Sequence, residues 1–164
     1  MDGFTLDLVA IRDWCDRHKV PYIYNSELNQ LALPRPNDRR FAVRVIPRPE
    51  RKMLTLAMPL PLIVPKERFE AAQKAMAIAN SATFMGSWVL NHVKGEAYFR
   101  VTVPSVDVLY NDDSLRYLLQ VVIGTVEAVA EKLRLIVQEG AEPETVLPRP
   151  KPTEADAGEG EGRT

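Results

Sequence analysis

The chain has 164 residues, a formal net charge of −1, 46% hydrophobic and 26% charged side chains. Those values suit one globular domain with a short appendage, and the near-cancellation of charge argues against a polyanion binder acting through bulk charge. One cysteine and two histidines exclude an internal disulfide and a Cys/His zinc cage.

The start, Met1-Asp2-Gly3-Phe4, has neither the basic segment nor the apolar run of a signal peptide. The longest apolar stretch, 53–64, is broken by Thr55, Pro59 and Pro61. It is too short for a bilayer, which needs about 20 residues. The expectation is a soluble, cytoplasmic protein with no membrane partner.

Residues 5–19 read as a helix. Phe4, Leu8, Ile11 and Cys15 fall on one face, with Trp14 at its edge, and Arg12, Asp13, Asp16 and Arg17 lie opposite. Pro21 stops the pattern. His18, at the C-terminal end, reads as a capping residue. Short strand signals follow at 22–24 and 31–33, flanking Asn25-Ser26-Glu27, then at 41–45 and 53–58. The short polar links favour an antiparallel meander.

Pro65 reads as the first position of a second helix, where its missing N–H costs nothing. Phe69, Ala72, Met76 and Ala79 form its apolar stripe, and Asn80 and Ser81 close it. Two strands, 85–90 and 97–103, are joined through Asn91, Lys94 and Gly95. In the second, Phe99, Val101 and Val103 face one way and Tyr98, Arg100 and Thr102 the other. The last helix starts at Asp113 or Ser114 as cap and runs to about residue 139, with Gly140 at C′. The expected order is α-β-β-β-α-β-β-α, an α+β domain with helices covering an antiparallel sheet.

The charge divides unevenly. Residues 1–140 carry net +2 and residues 141–164 net −3. The latter segment is rich in Pro, Gly and Glu, with Val146 and Leu147 its only large apolar residues. It cannot bury enough surface to offset its ordering entropy, so the expected division is a domain over 1–140 and a disordered acidic tail over 141–164.

No catalytic constellation stands out. Cys15 lies on a buried stripe, where a thiol behaves as a small hydrophobe, and neither His18 nor His92 completes a nucleophilic set with it. There is no phosphate-cradling glycine loop. No catalytic residue, cofactor or metal is expected. Three features could bind partners. The 35–52 segment holds Arg35, Arg39, Arg40, Arg44, Arg48, Arg51 and Lys52 against only Asp38 and Glu50. It reads as soluble edge and loop positions or as a phosphate-contacting patch centred on Arg39, Arg40 and Arg44. The 59–65 segment, with Leu60, Leu62 and Ile63, reads as a connection packed under a helix or as the lip of a partner groove. The final helix carries a second stripe, Tyr117, Val121, Gly124 and Ala128, suited to packing on a second copy; Gly124 costs about 1 kcal/mol there relative to Ala.

The pattern resembles the YbjN-like family, which has the type III secretion chaperone-like fold. The resemblance covers roughly residues 5–139. It is carried by Trp14-Cys15 followed by Tyr22, the strands leading to Val64-Pro65, the helix from Phe69 to Ala79-Asn80, and the strands ending at Val103-Pro104 before the capped final helix. The turn at 91–95 departs from the Asp/Gly-rich loop common in the family. The resemblance implies a non-enzymatic protein- or peptide-binding module, often homodimeric, labelled a sensory transduction regulator. With it goes an expected partner surface at Leu60, Leu62, Ile63 and the outer sheet face, Trp88 and Tyr98. The alternative is nucleic-acid association through residues 35–52.

Overall fold

The computed structural model describes residues 3–147. The chain enters extended, not helical. Phe4 and Tyr110 exchange backbone hydrogen bonds of 2.7 and 2.8 Å. This bridge delays helix α1, which spans Leu8–His18. The Asp7 carboxylate caps it, accepting from the Ala10 N–H at 2.8 Å. Lys19, in the left-handed conformation, closes it, so His18 has another task than capping. Its Nε2 lies 2.8 Å from Asp112 Oδ2, and its ring lies 4.7 Å from that of Trp14. Arg17 reaches the same carboxylate at 3.2 Å. Together they tie the end of α1 to the start of the last long helix.

Six strands form one antiparallel sheet: β1 (Ile23–Asn25), β2 (Gln30–Pro34), β3 (Ala42–Arg48), β4 (Met53–Ile63), β5 (Ser87–Asn91) and β6 (Glu96–Pro104). Their spatial order is β1-β2-β3-β4-β6-β5. Four strands, not the expected three, precede the second helix, because the apolar runs flanking Asn25-Ser26-Glu27 are separate arms of a hairpin. Period-two alternation sends Leu31, Leu33, Val43, Val45, Leu54 and Leu56 into the core. Helices α2 (Phe69–Ser81) and α3 (Asp112–Gln138) bury Ala72, Met76, Leu115, Val122 and Leu133 in the same core, joined by Ile11 and Cys15 of α1. Pro65 is extended, and a 3₁₀ turn over Lys66–Arg68 leads into α2, so the proline precedes the helix and does not begin it.

The cap of α3 is Asn111, whose Oδ1 accepts from the Ser114 N–H at 2.8 Å, and not Asp113 or Ser114. Gly140 has φ +75°, the left-handed position expected after the helix. The fold then continues past residue 140. Pro143–Val146 form a short helix, α4, and Pro143 and Leu147 are buried. The two apolar residues at 146 and 147 thus pack on the core, beyond the expected boundary at residue 140. Residues 148–164 lie outside the described residues. No helix among the described residues is long and apolar enough to cross a membrane.

Candidate functional site

Among the described residues, the helices pack on one face of the sheet and none covers the other. On that open face, Arg44, Arg100 and Thr102 are exposed, and Ile46, Val89 and Tyr98 are half-buried. Thr55 and Thr102 face each other across β4 and β6, their hydroxyls 3.0 Å apart. Trp88 is not on this face, contrary to expectation. It pairs in register with Phe99, its ring lies 5.6 Å from that of Phe99 at a tilt of 55°, and it is 3% exposed. Trp88 and Tyr98 therefore lie on opposite faces. Trp88 is core, and only Tyr98 borders the open surface.

The two edges of the sheet differ in kind. At β5, the Trp88 N–H donates to Asn80 Oδ1 at 2.7 Å, and Asn80 Nδ2 donates back to the Trp88 carbonyl at 3.3 Å. A single side-chain amide from the last turn of α2 thus occupies the donor and acceptor that Trp88 turns away from β6. The helix-closing Asn of the sequence is an edge plug. At β1, all three strand residues are exposed. Ile23 and Tyr24 are 64% and 42% exposed, with Leu28 exposed in the adjoining turn. Arg12 of α1 lies over the Tyr22 and Tyr24 rings, at 6.0 and 5.3 Å. Val9, one turn earlier on α1, is also exposed. Sequence reading did not single out this edge. A three-residue strand of exposed Ile and Tyr was the available signal.

The proline-interrupted 59–64 segment is not a loop. Through Ile63 it is the end of β4, running beyond Ala57, the last β4 residue paired with β3. Pairing with β6 shifts register between Pro59 and Ile63, a place that tolerates proline because a ladder donor is not needed there. Leu60 and Val64 are core, Leu62 is half-buried and Ile63 is 64% exposed. Leu60 and Leu62 border a cleft of about 460 Å³ with Phe41 and Arg134. The expected lip is therefore mostly interior, with Ile63 as its outward residue.

The arginines of 35–52 do not form one patch. Arg35 pairs with Glu127 of α3, and Arg40 folds onto Asp38 with bonds of 2.9 and 2.7 Å. Those hydrogen bonds lower the Asp38 pKa and raise that of Arg40. Arg39 shares that turn, Arg44 stands mid-strand on the open face, and Arg48 and Arg51 are at the opposite end of β3, about 20 Å from its start. Cys15 is fully buried, and desolvation pushes its thiol up to about 11, the setting of an inert cysteine. His92 packs edge-on against Phe69 and bonds Gln73 at 2.9 Å. Among the described residues, no group of His, Cys, Asp and Glu could hold a metal.

Tyr117, Val121, Gly124 and Ala128 do come together. They line a largely apolar groove of about 640 Å³ between α2 and α3, closed by Phe84 and Leu147. Tyr117 is 57% exposed and Phe84 wholly so. A Cβ at Gly124 would meet nothing within 4 Å. Among the described residues, no contact requires glycine there.

No family model and no curated protein matches the sequence. Solved structures do match. A crystal structure of YbjN from E. coli aligns with a TM-score of 0.62 at 10% identity, over 79% of this chain and 92% of that one. The ExsC–ExsE complex aligns at 0.57 and 15% identity, over 78% and 97%. The HopA1–SchA chaperone–effector complex aligns at 0.54 and 15%, over 73% and 88%. The chain therefore has the YbjN-like, secretion chaperone-like α+β fold.

Proposed function

We propose that the protein is a non-enzymatic, chaperone-like or regulatory binding module that captures an extended peptide segment of another protein at the β1 edge. One observation carries this reading. The sheet is plugged at β5 by Asn80 and unguarded at β1, beside exposed Ile23, Tyr24 and Val9. An extended peptide added to such an edge gains main-chain hydrogen bonds for affinity, and alternate side chains supply specificity. Two fold relatives were solved as complexes, one of them a chaperone with its effector, which favours this class over an enzyme or a nucleic-acid binder. The dispersal of the arginines disfavours the nucleic-acid alternative.

The same reading includes a homodimer built on the α2–α3 groove, where Gly124 and Ala128 admit a close helix and Tyr117 and Phe84 flank it. The test of the peptide site is selection from a displayed library of extended apolar peptides. Bound peptides are expected to protect the amides of β1 from hydrogen exchange, and Ile23→Lys with Val9→Asp to weaken capture about ten-fold or more. Capture lost instead on Ile63→Lys, with β1 unprotected, would move the site to the end of β4.

A further inference from the structure

The open sheet face ends in a second feature that peptide capture does not use. Between the 3₁₀ turn Pro49–Arg51 and the segment 85–87 lies a cleft of about 760 Å³. Its floor is the Thr55–Thr102 hydroxyl pair. Arg48 enters from the end of β3, Arg51 from the turn and Arg100 from β6, with Ser87 directly across from Arg100. Met53 and Met85 supply apolar wall.

The wall at 85–87 is fixed by Gly86. Its φ is +86°, and a Cβ there would fall 2.5 Å from the Arg100 carbonyl oxygen and 2.6 Å from Phe99. Only glycine lets this segment lie against β6 and bring Ser87 beside Arg100.

Four described arginines form ion pairs, Arg17 with Asp112, Arg35 with Glu127, Arg40 with Asp38 and Arg134 with Glu131, while several others stand singly; what distinguishes this cleft is that three unpaired ones converge on it. Among the described residues, Arg48, Arg51 and Arg100 have no ion-pair partner. Glu50 is the one carboxylate lining the cleft. Three guanidinium groups against one carboxylate leave a local charge of +2. That charge matches a phosphate monoester, which carries about −1.5 to −2 at neutral pH and three acceptor oxygens. A carboxylate or a phosphodiester brings only one charge. Arginine forks and hydroxyl donors are the groups that recognise phosphate oxygens. The volume lies within the range of small-molecule sites, roughly 300–1,000 Å³, and walls on two sides suit a single compact ligand better than a continuing polymer.

We infer that this cleft binds a small phosphate monoester, its phosphate held by Arg48, Arg51 and Arg100 and its less polar body resting against Met53 and Met85. The inference stands independently of the β1 site.

Titration calorimetry of the full chain with AMP, cyclic AMP, adenosine and inorganic phosphate tests it. AMP should bind about ten-fold or more tightly than cyclic AMP or adenosine, and inorganic phosphate should compete. Arg48→Gln with Arg100→Gln should abolish AMP binding, Arg51→Gln alone should weaken it, and Arg39→Gln with Arg40→Gln should leave it unchanged. Circular dichroism keeps the comparison to folded variants. Arg51, on an exposed turn, provides a variant that does not touch the sheet. The inference is overturned if neither AMP nor phosphate binds at millimolar concentration, if the Arg48/Arg100 variant binds as well as the parent, or if a thymidine decanucleotide binds more tightly than AMP.

Discussion

The two edges of this sheet solve the same problem in opposite ways. A sheet edge presents unpaired backbone donors and acceptors, and long apolar edges invite aggregation. At β5 the strand is five residues long, its Trp88 and Leu90 are core, and α2 supplies Asn80 to occupy the outward groups of Trp88. At β1 the strand is three residues long and wholly exposed, and no side-chain amide caps its backbone in the way Asn80 does at β5. Shortness alone limits the hazard there. The lesson is that an edge carrying core residues is plugged, whereas an edge carrying none can be left available for a partner.

The largest expected effect tests the buried edge. Trp88→Ala should destabilise the fold by about 3–5 kcal/mol, measured by urea unfolding, because it empties a packed site against Phe99. An effect below about 1 kcal/mol would return Trp88 to the surface. Asn80→Ala should cost about 2 kcal/mol, since it strands a donor and an acceptor at once, and should also make self-association concentration-dependent by unplugging β5. Asn80→Asp keeps the acceptor but loses the donor, and should fall between the parent and Asn80→Ala.

A middle effect concerns the core beneath both edges. The Cys15 thiol titrates near 11 in the folded chain, above its ordinary value near 9. The unfolded state therefore loses its proton first as pH rises. Stability contributed by the neutral buried thiol is complete below about pH 9 and declines as pH rises toward 11. Urea midpoints between pH 8 and 11 should show this decline, and Cys15→Ala should remove it. Below pH 8, a thiol reagent should react slowly with the native chain and rapidly in urea.

The smallest stability effects fall on the exposed features. Gly124→Ala should stabilise an isolated chain by about 1 kcal/mol through helix propensity, while weakening any dimer that needs close approach at that point. Thermal melts and sedimentation read the two effects separately. A gain in stability with unchanged sedimentation would remove Gly124 from the proposed interface. Ile23→Lys should change stability by less than about 0.5 kcal/mol, so that a loss of peptide capture in that variant is a binding effect.

Much of this architecture is legible in the chain. Helices α1, α2 and α3, both later strands and the alternation of Phe99, Val101 and Val103 follow from periodicity, whereas the short α4 does not. The face of Trp88 does not. Trp88-Val89-Leu90 is apolar throughout, so alternation gives no phase, and the phase is set by a residue eight positions earlier in the helix. The 59–64 segment misleads for a related reason. Proline at every second position looks like a loop, yet β4 has outrun β3 and slips against β6 there, so the missing donors have no partner to lose. The arginine run of 35–52 is dense in sequence, but an intervening strand carries its two ends to opposite ends of the sheet. The cleft at Arg100 could not be read at all, since it assembles residues from four strands and two connections.

The Asn80 amide has a consequence for how large an assembly this chain can reach. Indefinite growth by edge pairing requires two competent ends, so that each added unit presents a fresh one. Here the donor and acceptor at Trp88 are already occupied from within. A strand or a second copy added at β5 would have to displace Asn80 from these two groups, a cost that addition at β1 does not carry. A single side chain thus makes the two edges unequal, disfavouring strand addition at β5 relative to β1.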